Sequence, residues 1–157
     1  MERYPMTSEG HEALLTELKR LTSVERIAIA REIETAREHG DLRENAEYHA
    51  AKEKQGQMEA RIAHLEGMIA RAEVIDRSMM TGSKVRFGAV VTLEDLDSGE
   101  EKTFRIVGSE EADVSKGSIS VTSPVARALI NHEVGDEVKV QAPAGMRNYE
   151  IADISWP

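Results

Sequence analysis

From Met6 to Ser123 the chain contains no proline, and between His11 and Glu66 glycine occurs only at positions 40 and 56. A stretch so free of both breakers is open to long helix. From Tyr48 the apolar or small positions run Tyr48, Ala51, Gln55, Met58, Ile62, Leu65, Ile69 and Ala72, alternating steps of three and four with one polar interruption at Gln55. That spacing predicts a coiled-coil seam. The preceding segment carries Leu14, Leu18, Leu21, Ala28, Ile29, Ile33 and Ala36, a looser stripe in which Val24 and Glu25 compete for the seam and the register shifts. Thr7 or Ser8 is the expected N-cap of this first helix, and Glu38-His39-Gly40-Asp41 its stop, with Gly40 suited to the left-handed conformation after a helix end. Two striped helices joined by so short a connection must fold back on each other, because each stripe needs a partner and the nearest lies across the turn. At about 30 residues an arm and roughly 1.5 Å rise per residue, the expected antiparallel hairpin extends about 45 Å. Its tip is expected to stand away from the rest and to be its looser end, with the shaft steadied at its base by a second domain.

After about Asp76 the pattern changes to β-rich runs at 84–93, 103–107, 118–122, 137–141 and 149–154, punctuated by Asp97-Ser98-Gly99, Lys116-Gly117 and Pro143-Ala144-Gly145. One short helix is expected over 124–130, with Ser123 as cap and Pro124 in the first position. The reading is therefore α+β: a helical hairpin over 1–76 with its tip near 40–45, a hinge at 77–83, and a small α+β domain over 84–157.

Charge and cysteine narrow the functional classes. Twenty lysines and arginines against 29 aspartates and glutamates leave a net charge of −9, which argues against coating duplex nucleic acid through bulk charge. Without cysteine there is no disulfide framework, thiol nucleophile or thiolate zinc site, and a reducing, cytoplasmic setting is expected. No apolar stretch approaches a membrane span or a signal-peptide core. A soluble monomer without a membrane partner is expected.

The connection between the helices reads Gly40-Asp41-Leu42-Arg43-Glu44-Asn45-Ala46-Glu47-Tyr48, with two carboxylates three residues apart. One reading is local: Asp41 as N-cap and Glu44 as third residue form a capping-box-like pair and complement the helix dipole. The other is chemical. Both carboxylates lean together and share a hard cation such as magnesium, which prefers about six oxygen ligands. Two ligands do not make a site, so the remainder must come from water or another molecule. Elsewhere the signals are weak. His11, His39, His49, His64 and His132 include no pair at helical ligand spacing. Ser78, Ser83 and Ser98 lack a nucleophile-elbow context, and the glycines form no phosphate-cradling loop. Arg37, Arg43 and Lys52 near the tip are three scattered cations that suit a solvated surface, with ion pairs to acids such as Glu34 and Glu38. Tyr48 begins the seam and is expected to pack.

The run from Arg37 to Glu53, REHGDLRENAEYHAAKE, resembles the tip signature of bacterial Gre transcript cleavage factors, the GreA type most closely. Val74-Ile75-Asp76, Phe87-Gly88-Ala89-Val90-Val91, Arg105-Ile106-Val107-Gly108 and Ser123-Pro124-Val125-Ala126-Arg127-Ala128-Leu129-Ile130 resemble the same family, in the same order, over nearly the whole chain. The resemblance implies an FKBP-like second domain that docks on RNA polymerase, and a hairpin that enters the polymerase secondary channel. It implies stimulation of the polymerase's own hydrolysis of a backtracked transcript at the extruded RNA 3′ end, with no catalytic activity of the chain alone. Under that likeness Asp41 and Glu44 hold a loosely bound Mg²⁺ shared with the polymerase and orient the attacking water. Arg37 and Lys52 are then candidates for RNA contact, and Asn45, Ser123 and Pro124 for polymerase contact. For Asn45 local hydrogen bonding at the tip stays open beside that role, and for Ser123 and Pro124 a plain helix start does. A prolyl isomerase pocket is disfavoured, because the second half offers few aromatics to wall one, namely Phe87, Phe104, Tyr149 and Trp156. Two rivals remain: a channel-occupying regulator that does not activate cleavage, and a coiled-coil scaffold or chaperone indifferent to the tip charges.

Overall fold

In the computed structural model residues 2–41 and 45–157 are described. They form two compact units, His11–Arg71 and a second made of Glu2–Gly10 with Ala72–Pro157. The chain opens with strand β1 (Tyr4–Thr7) and helix α1 (Ser8–Arg20), continues through a π-helical turn at Leu21–Glu25 into α2 (Arg26–Arg37), and returns as the 25-residue α3 (Ala46–Ala70). Strand β2 (Ala72–Ile75) follows. Thr7 is the first cap, its Oγ1 accepting the Gly10 N–H at 3.0 Å.

In the helical unit the arms run antiparallel. Arg61 meets Glu17, Arg26 meets Glu59, and Lys54 meets Glu32, so partners descend along one arm as they ascend along the other. Leu14, Leu21, Ile29 and Ala36 are buried from the first arm, and Ala51, Met58, Ile62, Leu65 and Met68 from the second. The expected register shift has a structural form. Buried positions are seven apart from Leu14 to Leu21 and from Ile29 to Ala36, but eight apart from Leu21 to Ile29, and the π turn absorbs the extra residue. Within it Thr22 Oγ1 donates to the Leu18 carbonyl at 2.9 Å, and Val24 faces outward. At the far end Met68 is buried more deeply than Ile69, and Ala72 has left the helix for β2.

The second unit holds a five-stranded sheet in the order β5-β4-β3-β7-β6, built from β3 (Val90–Asp95), β4 (Glu101–Val107), β5 (Ser118–Ser120), β6 (Glu137–Ala142) and β7 (Gly145–Ser155). Pairing is antiparallel except between β4 and β5. Alternation along β3 buries Val91 and Leu93 against Ile106, Ile151, Val138 and Val140, and the short helix α4 (Pro124–Leu129) adds Ala126 and Leu129. This is the expected α+β unit, with a strand at each of the five expected runs. Residues 84–89 are not part of β3; Lys84 makes only an isolated bridge to Glu133.

One pairing was outside the expectation: β1 runs parallel to β2, Tyr4 opposite Ala72 and Thr7 opposite Ile75. The unit boundaries therefore fall at 10/11 and 71/72, not in the segment 77–83 read as a hinge, which lies within the second unit. That segment contains a single 3₁₀ turn (Arg77–Met79), and the Gly82 carbonyl accepts the Trp156 indole N–H at 3.1 Å. A second tie secures β1. The Glu111 carboxylate accepts the Thr7 N–H at 3.0 Å and the Gly108 N–H at 3.1 Å, and also bonds the Thr7 hydroxyl. Gly10 lies against that carboxylate, where a Cβ would come within 2.2 Å of its carbon.

Candidate functional site at the helical tip

Helix α2 unwinds through tightening turns: Glu38 N–H donates to the Thr35 carbonyl at 3.2 Å, His39 to Ala36 at 3.2 Å and Gly40 to Arg37 at 3.4 Å. Gly40 then takes φ 102°, the left-handed conformation expected of it. Asp41 follows, exposed. Leu42, Arg43 and Glu44 lie outside the described residues, and with them the Glu44 half of the carboxylate pair.

The cap of α3 corrects the sequence reading. Asn45, with extended φ −83° and ψ 99°, is the N-cap, and its Oδ1 accepts the Tyr48 N–H at 3.0 Å. Asp41 stands too early to cap a helix that begins at Ala46, and the third helical residue is Tyr48 where a capping box needs a glutamate. The signal was present in the chain: asparagine caps as well as aspartate, and it stands three residues before the seam that starts at Tyr48. Asn45 also reaches the other arm, its Nδ2 donating to the Ala36 carbonyl at 2.6 Å. That carbonyl belongs to the last turn of α2 and already accepts the His39 N–H at 3.2 Å, so the Asn45 amide is its second donor. Glu47 in the first turn of α3 complements its dipole and sits 3.8 Å from His39 Nε2 across the connection.

The two candidate RNA contacts fall on different arms. Arg37 ends α2, is exposed, and makes no ion pair with a described residue; the expected partners Glu34 and Glu38 pair with neither Arg31 nor Arg37 among the described residues. Lys52 is exposed on α3, about 10 Å along the axis from Asn45 by helical rise, and its Nζ donates to Gln55 Oε1 at 3.0 Å. Tyr48 is half-buried, as a seam residue should be, and its ring meets His49 edge-on at 5.6 Å. Among the described residues no three His, Asp or Glu side chains converge as a metal site. Asp41 offers a hard cation the oxygen donors that it prefers, and completing the shell falls to ligands from elsewhere.

In the second unit Ser123 and Pro124 are a helix start in the expected form. Ser123 Oγ accepts the Ala126 N–H at 3.2 Å and Pro124 occupies the first helical position, exposed. Pro124 and Val125 also line an open depression of about 590 Å³ with Gln141, Ala142 and Pro143. No helix among the described residues is long and apolar enough to cross a membrane.

Comparison with known proteins covers both units. Residues 4–74 match the family model described as transcription elongation factor, N-terminal, and residues 80–156 the model described as transcription elongation factor, GreA/GreB, C-term. The transcription elongation factor GreA of Hyphomonas neptunium is 62% identical over 156 residues, covering 99% of each chain. That of Phenylobacterium zucineum is 56% identical over the same span and coverage. Among solved structures, GreA factor homolog 1 of Thermus thermophilus is 30% identical, with TM-score 0.46 over 98% of this chain and 99% of that one. The two family models thus cover both units between them, and the chain belongs to the GreA/GreB family of transcription elongation factors.

Proposed function

We propose that the chain binds RNA polymerase and stimulates the polymerase's own hydrolysis of backtracked transcripts, bringing Asp41 and Glu44 to the polymerase active site at the tip of its hairpin. The observation that carries this reading is the placement of Asp41: exposed, in the short connection between two long helices, and not needed as a cap because Asn45 fills that role. An exposed carboxylate in the connection of a helical hairpin, beside a helix whose cap is a different residue, suits delivery to another molecule.

Asp41 and Glu44 would hold Mg²⁺ jointly with the polymerase; when bound, the ion supplies Lewis-acid activation of water and charge neutralisation at the phosphate. The chain's own part is to bring negatively charged oxygens to the site and to orient the attacking water by accepting its hydrogen bond. That water forms a bond to phosphorus as the bond from phosphorus to the upstream 3′ oxygen breaks; the upstream transcript regains a 3′-hydroxyl, the released fragment keeps the phosphate, and the water's surplus proton passes to the departing oxygen or to solvent. Arg37 and Lys52, one on each arm, contribute positive charge to the extruded RNA backbone. Pro124, with Val125 and the depression they line, is the surface by which the sheet unit docks on the polymerase, and Ser123 shapes it by starting α4.

The test is cleavage of a stalled, backtracked complex by purified polymerase with and without the protein. Asp41→Asn and Glu44→Gln keep size and polarity but remove the charge, and should abolish stimulation while leaving polymerase binding and the melting temperature unchanged. Equal stimulation by the parent and both variants would overturn the metal role. Binding without stimulation by the parent itself would identify a channel-occupying regulator instead. Pro124→Ala should weaken polymerase affinity by about tenfold, the scale of one well-placed interface residue.

A further inference from the structure

Near the tip the hairpin has little apolar surface with which to hold its arms together. The buried seam residues there are Ala36 and Ala51, whereas further along it uses Ile29, Met58, Ile62 and Leu65. A methyl buries too little area to define the approach of two helix ends. At the end of α2, moreover, the Ala36 carbonyl has lost the i+4 donor of a continuing helix; it takes the tighter bond from the His39 N–H at 3.2 Å and keeps a second acceptor position. The Asn45 side chain meets both needs at once. Its Oδ1 accepts the Tyr48 N–H at 3.0 Å, starting α3, while its Nδ2 donates to the Ala36 carbonyl at 2.6 Å, the last turn of α2. The side chain is half-buried. Among uncharged polar side chains the planar amide suits this work because it carries an acceptor and a donor on one short, stiff stem.

We infer that Asn45 is a positioning residue: its amide clasps the two ends of the connection that carries Asp41, and so sets where the acidic tip is presented. The inference rests on the function proposed above, and it assigns Asn45 a job different from direct polymerase contact. Both polar ends of the amide are engaged within the chain. Misplacing a reacting group by about 1 Å can cost up to about a hundredfold in rate, so a clasp nine residues wide, from Ala36 to Asn45, bears directly on how well Asp41 is used.

Serine and threonine separate the two bonds. Either caps a helix almost as well as asparagine, but neither hydroxyl is long enough to cap α3 and reach the Ala36 carbonyl together. In the full-length protein, Asn45→Ser and Asn45→Thr should leave helix content, melting temperature and polymerase affinity at parental values. Amide hydrogen exchange in the peptide covering 37–45 should quicken by about fivefold, the population change expected from losing one ordinary hydrogen bond. With polymerase and a backtracked complex, the Mg²⁺ concentration for half-maximal cleavage should rise by about fivefold and the maximal rate should fall. Asp41→Asn in the same assay reports on the underlying function: if it stimulates like the parent, or if the parent is inactive, the proposed function fails and this inference with it. If Asp41→Asn is inactive while the Asn45 variants keep parental Mg²⁺ dependence and rate, the clasp is not used and this inference alone is overturned. Weakened polymerase affinity with unchanged exchange would also overturn it, and would make Asn45 a polymerase contact.

Discussion

The helical unit and the sheet unit solve the same problem with different material. In the sheet unit Val85, Ala89, Val91, Leu93, Ile106, Ala126, Leu129 and Ile151 are wholly buried, each packed from several elements. Among the described residues of the helical unit only Leu65 reaches that state, the seam is one side chain wide, and the arms are tied across their exposed edges by Arg61–Glu17, Arg26–Glu59 and Lys54–Glu32. A two-helix seam has solvent on both flanks and buries little area per residue. The difference teaches where stability comes from in each: dispersion and hydrophobic burial in the sheet unit, and a thin seam helped by polar ties in the helical one. Near the tip the buried seam residues are Ala36 and Ala51, and there the polar tie from Asn45 to the Ala36 carbonyl carries a larger share of the contact between the arms.

The largest effect should come from the core. Leu93→Ala removes a fully buried side chain from the centre of the sheet, where neighbours on several sides cannot collapse into the gap, and should cost about 4 kcal/mol. Met58→Ala in the seam should cost about 2 kcal/mol, because flanking side chains and water can close over the space. The two are separable by probe. Trp156, the only tryptophan, packs against the sheet core, so its fluorescence should report the first loss in denaturant titration, while helical circular dichroism should report the second. Equal costs would mean that the seam is packed as tightly as the sheet.

Glycines offer a comparison of intermediate size. Gly56 lies in α3 with open space around the position of a Cβ, so Gly56→Ala should stabilise the helical unit by about 0.5–1 kcal/mol through helix propensity alone. Gly10 lies in α1, where the same change drives a methyl into the Glu111 carboxylate. That carboxylate cannot swing aside without giving up Thr7 and Gly108, and Gly10→Ala should destabilise by about 2 kcal/mol, the cost of orphaned polar groups less the helix gain. Glu111→Gln combined with Gly10→Ala should cost less than the two changes added, because they disturb one set of bonds. Thermal or denaturant unfolding of the four proteins measures this coupling.

These contrasts also mark what could be read from the chain. The seam from Tyr48 to Leu65, the five strands and the Ser123-Pro124 helix start carry local signatures of period, turn or cap, and each stands where those signatures place it, save that the first strand begins at Val90 and not at Lys84. The competition between Val24 and Glu25 was legible as a register problem, but not as a π turn, because one extra residue can be absorbed by several backbone geometries. Strand β1 was not legible. It has four residues, one of them Pro5, and its partner β2 follows the whole hairpin in sequence, so no local pattern announces the pair. The tip was half legible: its acidic residues were plain, but the local reading, with Asp41 as cap, overlooked Asn45, which stands three residues before the first seam position. A side chain's bond across to Ala36 depends on how the arms meet, and that is a tertiary property.

The smallest effect is electrostatic, and it separates the units by their response to salt. In the helical unit Arg61 grips Glu17 through two bonds, at 3.0 and 2.8 Å, with both side chains about a third exposed. The Arg61 hydrogen bond, against some burial, holds the Glu17 carboxyl below its ordinary value. In the sheet unit the buried Asp95 is also held low, first by the Asp97 N–H and then by the Ser98 N–H and Arg147. Both acids have a folded pKa below the unfolded one, so each contribution is fully present above the unfolded value of about 4 and is lost as pH falls through the folded value. For Glu17 it should amount to less than about 1 kcal/mol, given its exposure. Salt at about 1 M shortens the screening length to roughly 3 Å and should move the Glu17 pKa back toward normal. Asp95, held chiefly by backbone donors in a shielded turn, should keep its low value. Side-chain titration by NMR at low and high salt reads both carboxyls in one sample, and equal salt shifts would remove the distinction drawn between the two units.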